Sequence, residues 1–239
     1  MATSTQPDLI PELVDGDRLT SHEFERRYLA SPLVRKAELI DGVVHVASPV
    51  SDVHGRARSD LNGWFRFYRL GTPFLICSIE GTIGLDGRNQ PQPDVHARFD
   101  PAHGVRSAFS PDRYVEGAPD LVAEVAVGSA SLDLEQKREV YQNPGVSEYI
   151  FWRVLDRVVD WFILRDGSHE RMKTTQDGLH RSEIFPGLWL DSDALVRGQM
   201  VTVFQAVQRG LATPEHEDFV ERLRKADPRR DDPSGSDQP

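Results

Sequence analysis

Two acidic residues stand next to short apolar runs that are typical of buried strands. Asp94 directly precedes the run Val95 to Phe99, and Glu124 lies within the run that begins at Leu121. A charge inside an apolar strand is costly unless it has a partner. Carboxylate oxygens are ligands for Mg²⁺, and a bound divalent ion can activate a water against a phosphate ester. The two acids therefore predict a divalent metal site suited to hydrolysis of a phosphodiester bond.

A lysine on the next predicted element can complete this site. The strand breaks at Gly128 and a serine cluster, and the helical stretch that follows places Asp133, Lys137 and Tyr141 four residues apart on one face. An ammonium on that helix can therefore converge with a carboxylate at the end of the preceding strand. The same spacing also fits an ordinary surface ion pair between Asp133 and Lys137, which needs no chemistry.

Each of the other candidates also has a purely structural explanation. Asp94 follows Pro93 and could simply orient a turn, while a buried salt bridge to an arginine would account for Glu124. Glu38, at the start of a predicted strand, is either an auxiliary acid of the site or an exposed residue. His54, on an arginine-rich helix, either bonds a phosphate or is an ordinary residue of the first turn.

The composition argues against several classes of protein. The single cysteine, Cys77, rules out an internal disulfide and disfavours a Cys-ligated zinc site, which suits a reducing compartment. No apolar run has transmembrane length and the first residues lack the pattern of a signal peptide, so we expect a cytoplasmic protein without membrane contact. The net charge of −10 argues against a protein that coats nucleic acid through bulk positive potential, but not against a local basic cleft.

The hydrophobic content of 38% is sufficient for the core of one domain. We place that domain at residues 20–225, after an arm at 1–19 and before a polar tail at 226–239 that we expect to be disordered. Periodicity predicts helices that begin at Thr20, at Val53 and after Gly128, and further helices over 191–196, 200–208 and 214–225. Apolar runs and turn residues predict strands over 74–85, 95–99, 121–124, 147–154, 158–164, 169–174 and 179–185.

Local signals define the first two elements. Thr20 with Glu23 forms a capping box, which predicts a helix whose residues Phe24, Tyr28 and Leu29 face inward. The dipeptide Asp41-Gly42 between alternating strands predicts a β-hairpin with a two-residue turn.

Seven short motifs, taken together and in order, are more specific than any one of them. They are ELIDG (38–42), a Ser-Pro followed by a histidine before a long helix (48, 49 and 54), QPD (92–94), GAPDLVAEV (117–125), D-x-x-x-K-x-x-x-Y (133–141), GVSEY (145–149) and FPGLWLD (185–191). This set resembles the Uma-type putative restriction endonuclease family over about residues 10 to 225. The resemblance implies an α/β protein with the PD-(D/E)XK restriction-endonuclease-like fold, in which a mixed central sheet is flanked by helices.

The resemblance also assigns roles to residues of this chain. Asp94 and Glu124 match the two acids that hold Mg²⁺ or Mn²⁺, and the backbone carbonyl of Val125 is a further expected ligand. Lys137 matches a lysine that has moved from the strand to the following helix, and Glu38 matches the early acid of the family. DNA is the substrate that the resemblance implies.

Two positions depart from the family pattern. Ala126 occupies the usual lysine position, two residues after Glu124, and Val127-Gly128 replaces a common Ser-Pro. His54 and Tyr141 are further candidates, which we expect to contact substrate.

Two functional hypotheses follow from these observations. The first is a metal-dependent DNA endonuclease, and the second is a nuclease-fold binding or regulatory module without turnover, which the acidic charge and Ala126 favour. The strands between Val158 and Thr174 could pair across a two-fold axis, so we also expect a homodimer.

Overall fold

The computed structural model describes residues 10–100, 103, 107–110, 114–128 and 130–227, without the side chains of 130–133. The first nine residues of the predicted arm, the predicted tail from 228 onward and the side chain of Asp133 lie outside the described part.

The described residues form six helices and thirteen strands. The helices are α1 (Ser21–Leu29), α2 (Asp52–Gly71), α3 (Ala130–Gln142), α4 (Ser192–Val196), α5 (Met200–Leu211) and α6 (Pro214–Ala226). The strands are β1 (Ala37–Ile40), β2 (Val43–Val46), β3 (Leu75–Ser78), β4 (Ile83–Gly84), β5 (Val95–Phe99), β6 (Ala108–Phe109), β7 (Val115–Glu116), β8 (Leu121–Ala126), β9 (Glu148–Arg153), β10 (Val158–Arg165), β11 (Ser168–Arg171), β12 (His180–Arg181) and β13 (Trp189–Leu190). No helix among the described residues is both long and apolar enough to cross a lipid bilayer.

The main sheet has six strands in the order β11-β10-β9-β8-β5-β3. Only the β8–β9 pair is parallel, and every other neighbouring pair in this sheet is antiparallel. The central strand β8 is an almost continuous apolar run, as expected for a strand covered on both faces. The predicted α/β architecture with a mixed central sheet is therefore confirmed.

Helices cover the two faces of this sheet. The face that presents Ala123 packs against α2, with Leu61, Trp64 and Phe65 in the main core. The opposite face presents Val122 and packs against α3. Because side chains alternate along a strand, Glu124 follows Val122 onto the α3 face.

The β1–β2 hairpin lies beside the sheet and carries Glu38. Its turn residues Asp41 and Gly42 both have positive φ, at 52° and 76°, as a two-residue type I′ turn requires. The hairpin packs against α1 through Phe24, and Leu39 pairs with Gln90 of the segment before β5. This pairing brings the hairpin next to the start of β5.

The predicted inward orientation of Leu29 is wrong. Thr20 caps α1 as expected, with its hydroxyl accepting from the backbone N–H of Glu23, and Phe24 is fully buried. Leu29, however, is 63% exposed. Five helical positions after Phe24 amount to a rotation of about 140°, which takes Leu29 off the buried stripe.

The predicted strand over 179–185 is shorter than expected, since only His180 and Arg181 pair with β13. The chain turns after them because the buried carboxylate of Glu148 accepts hydrogen bonds from the backbone N–H groups of Glu183 and Ile184 and from the hydroxyl of Ser182. These bonds take the place of a strand ladder.

Two glycines set the distance between α5 and the turn before β13. Gly187 has a φ of 87°, and a Cβ added to Gly210 of α5 would lie 2.1 Å from the Gly187 carbonyl oxygen. Backbone atoms cannot move aside as a flexible side chain can, so this contact requires glycine at position 210.

We predict that Gly210→Ala lowers the free energy of unfolding by about 2–4 kcal/mol, because the added methyl must push two backbone segments apart. Gly55→Ala is the matched control, since Gly55 lies in α2 with no atom within 4 Å of an added Cβ. That variant should be stabilised by about 0.5–1 kcal/mol. Urea unfolding followed by circular dichroism measures both, and equal effects would contradict the packing described here.

Candidate active site

Asp94 and Glu124 face each other across two neighbouring strands. The antiparallel register pairs Val95 with Ala123, which places Asp94 opposite Glu124. The Asp94 backbone N–H donates to Glu124 Oε2 over 3.3 Å, and the Val125 N–H donates to Asp94 Oδ2 over 2.9 Å. Both acids are buried, and the two side chains thus form one site at the point where the β5–β8 ladder ends.

His54 fixes the second oxygen of Asp94. Ser51 caps α2 by accepting from the His54 N–H, so the imidazole projects from the first turn of the helix. Its Nε2 lies 2.9 Å from Asp94 Oδ1. The sequence left His54 between a phosphate contact and a residue without a role, whereas the structure places it on the aspartate.

Lys137 joins two acids from different elements. From α3 its Nζ lies 2.9 Å from Glu124 Oε1 and 2.9 Å from Glu38 Oε2. Glu38 also accepts the backbone N–H of Gln92 over 2.7 Å. Lys137 therefore points into the site, as predicted.

Tyr141 lies one turn after Lys137 on the same face of α3. It is fully buried, and its hydroxyl donates to Glu124 Oε1 over 2.7 Å. A side chain without solvent exposure is not available to a polymeric substrate. Tyr141 is thus placed to orient Glu124, and the expectation that it contacts substrate is not supported.

The three carboxylates differ in pKa because their partners differ. Burial opposes the ionisation of Asp94, but the hydrogen bond and charge of His54, the charge of Lys36 and the Val125 N–H outweigh it and hold its pKa below the usual value. Burial also opposes the ionisation of Glu38, where the charges of Lys137 and Lys36 prevail and lower the pKa.

Glu124 behaves in the opposite way. Burial, together with the negative charges of Asp94 and Glu38, outweighs the attraction of Lys137 and raises the pKa of Glu124. The site therefore holds more negative charge than its lysine compensates.

Lys137 and Tyr141 keep their protons at neutral pH. Burial disfavours the charged form of Lys137, but the charges of Glu124 and Glu38 outweigh it and raise the pKa of the ammonium. Burial and the adjacent Glu124 raise the pKa of Tyr141 well above its ordinary value. Lys137 is therefore a fixed cation of the site and cannot serve as a general base.

The oxygen donors fit a hard divalent ion. The described residues contain no group of three or more His, Cys, Asp or Glu side chains arranged to hold a metal. Mg²⁺, however, is commonly held by one or two carboxylates together with water and substrate oxygens. The Ala126 carbonyl accepts a hydrogen bond from the Val154 backbone N–H and therefore faces β9. Successive carbonyls along a strand point to opposite sides, so the Val125 carbonyl faces β5 and Asp94. Two carboxylates, one carbonyl and excess negative charge match the chemistry of the ion.

Three contacts of the site could not be found from sequence patterns. They join Gln92 to Glu38, His54 to Asp94, and Tyr141 to Glu124. The first two connect residues 54 and 40 positions apart. Only the position of His54 in the first turn of an N-capped helix gave a local signal.

Comparison with known proteins identifies the family of this chain. The family model described as Uma2, putative restriction endonuclease, matches residues 22–193. This chain belongs to the Uma2 family. The family description supports a nuclease. The comparison with curated proteins gave no match.

A solved structure shares the fold of this Uma2 chain. It is the crystal structure of a putative nuclease belonging to DUF820 from Anabaena variabilis, with 13% sequence identity and a TM-score of 0.56. The alignment covers 72% of this chain and 97% of that one. At this identity the similarity speaks for the fold alone, and it agrees with the predicted α/β fold class.

We predict that Lys137→Met destabilises the protein by about 3–5 kcal/mol at neutral pH in the presence of a chelator. Removal of the ammonium leaves buried carboxylates without their main counter-charge. Lys225→Met is the matched control, because Lys225 forms an exposed ion pair with Glu221 in α6, and its free energy of unfolding should not change measurably.

A double variant tests whether this loss comes from Glu124. Lys137→Met combined with Glu124→Gln should be less destabilised than the sum of the two single variants, as measured by urea unfolding. Additive losses would show that the two residues do not share one buried site.

Proposed function

We propose that this Uma2 chain is a Mg²⁺- or Mn²⁺-dependent endonuclease that hydrolyses phosphodiester bonds of DNA. One observation carries the proposal: the ammonium of Lys137 lies 2.9 Å from Glu124, which stands across the strand pair from Asp94. Two acids and a cation in one pocket are the parts that metal-assisted hydrolysis needs. Membership of the family supports the same chemistry.

The metal-holding groups in this proposal are the carboxylates of Asp94 and Glu124 and the carbonyl of Val125. When bound, the ion supplies polarisation of the scissile phosphate and a lowered pKa of its water. The depressed pKa of Asp94 keeps that carboxylate ionised. The raised pKa of Glu124 reflects its burial and the repulsion by its acidic neighbours, and a bound cation would relieve that repulsion.

Lys137 stabilises developing negative charge on the phosphate. Its raised pKa excludes proton abstraction, so its contribution is that of a positioned cation. Glu38 holds the ammonium from its other side and keeps it next to Glu124. His54 and Tyr141 act as positioning residues, because each bonds one of the two acids directly.

The experiment is cleavage of supercoiled plasmid in Mg²⁺ or Mn²⁺. The wild-type protein should nick or linearise the plasmid, and Asp94→Asn and Glu124→Gln should abolish cleavage. Lys137→Gln should reduce the rate by about a hundredfold or more while it still binds Mn²⁺ in a calorimetric titration. Glu135→Gln is the control on α3, because its carboxylate pairs with Arg138 instead. Cleavage that persists in Asp94→Asn would refute the proposal.

A nuclease-fold binding or regulatory module is the second candidate. The observation that favours it is the saturation of the acids, since both oxygens of Asp94 and of Glu124 already accept hydrogen bonds from the protein. Absence of Mn²⁺ binding together with absence of cleavage would support this candidate. Mn²⁺ binding that Glu124→Gln abolishes would count against it.

We propose that residues 20–225 form the functional domain, and that it acts in the cytoplasm. The homodimer stays a prediction. Its interface would be β11, which forms one edge of the six-stranded sheet and has Ser168, Glu170 and Arg171 exposed.

A further inference from the structure

A groove of about 880 Å³ opens beside the candidate active site. We call it the basic groove, since Arg35, Lys36 and Arg58 line it together with Glu80 and Gln92. The proposed hydrolysis assigns no role to these three cations. Arg35 is exposed, whereas the side chains of Lys36 and Arg58 are only 22% exposed and are held in the wall.

Several contacts connect the basic groove to the acids. Arg58 lies one turn after His54 on the same side of α2, and His54 bonds Asp94. Lys36 precedes β1, and its charge lowers the pKa of both Asp94 and Glu38. A ligand in the groove would therefore lie next to the site of hydrolysis.

A carboxylate of the protein already pairs with two of the cations in this groove. Glu80 forms an ion pair with Arg58, and its Oε1 lies 3.9 Å from Lys36 Nζ. An arginine and a lysine around one anionic oxygen group are also what a phosphate would meet.

The backbone holds Glu80 in this place at some cost. Its φ is 52°, in the left-handed region that a residue with a side chain rarely adopts, and its N–H donates to the carbonyl of Pro93, directly before Asp94. A strained conformation fixed next to a functional residue is more typical of a site than of an arbitrary loop.

We propose that the basic groove binds the phosphodiester backbone of duplex DNA beside the scissile bond, and that Glu80 is an internal competitor that a phosphate displaces from Arg58 and Lys36. This inference rests on the proposed function for the identity of the ligand. Because the whole chain carries a net charge of −10, attraction of a polyanion must come from a local cluster of this kind. Leu33 and Val50, exposed at its rim, can contact the sugars.

The test is fluorescence anisotropy with a labelled DNA duplex in EDTA, where binding is measured without cleavage. Arg58→Gln should weaken binding about tenfold and reduce the slope of log K against log salt by about 0.9, the value for one lost phosphate contact. Lys36→Gln should act in the same direction. Arg56→Gln is the matched control, since Arg56 lies on the same helix, is 72% exposed and pairs with Asp52.

Glu80→Gln should have the opposite effect and tighten binding several-fold, because the competing charge is gone while the side chain keeps its size. Glu221→Gln, an exposed glutamate paired with Lys225, controls for the general effect of one less negative charge. In the double variant with Arg58→Gln, the gain from Glu80→Gln should be smaller, since Arg58 is the closer of the two cations that Glu80 neutralises.

The outcomes separate this inference from the proposed function. If the wild-type protein cleaves DNA but the groove variants bind DNA as tightly as the wild type, the groove proposal is overturned and the proposed nuclease activity stands. If the variants show the expected binding pattern but the wild-type protein does not cleave DNA in Mg²⁺ or Mn²⁺, the proposed nuclease activity is overturned and the groove proposal is supported. Three results would overturn the groove proposal. They are absence of duplex binding, an effect of Arg58→Gln equal to that of Arg56→Gln, and tighter binding of an RNA duplex of matching sequence.

Discussion

Burial of several carboxylates in one cluster is the constraint on which the rest of the candidate site depends. Glu38, Asp94 and Glu124 lie within a network that contains one closely bonded lysine, and burial together with the neighbouring acids raises the pKa of Glu124 while the other two pKa values are lowered. Buried charge of one sign is unstable without hydrogen bonds and counter-charges. The surrounding elements therefore contribute groups that bond these carboxylates or their lysine.

The fold brings these groups from elements far apart in the chain. The hairpin supplies Glu38 as a second partner for Lys137, α2 supplies the His54 imidazole, and α3 supplies both the ammonium of Lys137 and the hydroxyl of Tyr141. The two helices pack on opposite faces of the sheet, and the site lies at the strand ends that both helices can reach. The site is thus complete only when both helical layers are packed on the sheet.

Local patterns predicted the elements, but only part of the site. The alternation around Asp41-Gly42, the cap at Thr20 and the acid inside an apolar strand are short-range signals, and each predicted its element correctly. The contact between Gln92 and Glu38 depends on two segments that meet only in the fold. The same limit explains the shortened strand after Leu179, because Glu148 binds the chain there from another strand. Periodicity contains no information about such partners.

The ammonium of Lys137 reaches Glu124 from α3, so position 126 of the strand need not supply a cation. Ala126 lies two residues after Glu124 on the same face of β8 and packs against the cluster beneath α3. A lysine at either place would present its ammonium to the same carboxylate, but two lysines would compete for one buried space. A small side chain on the strand leaves that space to Lys137, whose stem approaches from the helix above. In this chain the cation next to Glu124 therefore comes from the helix and not from the strand.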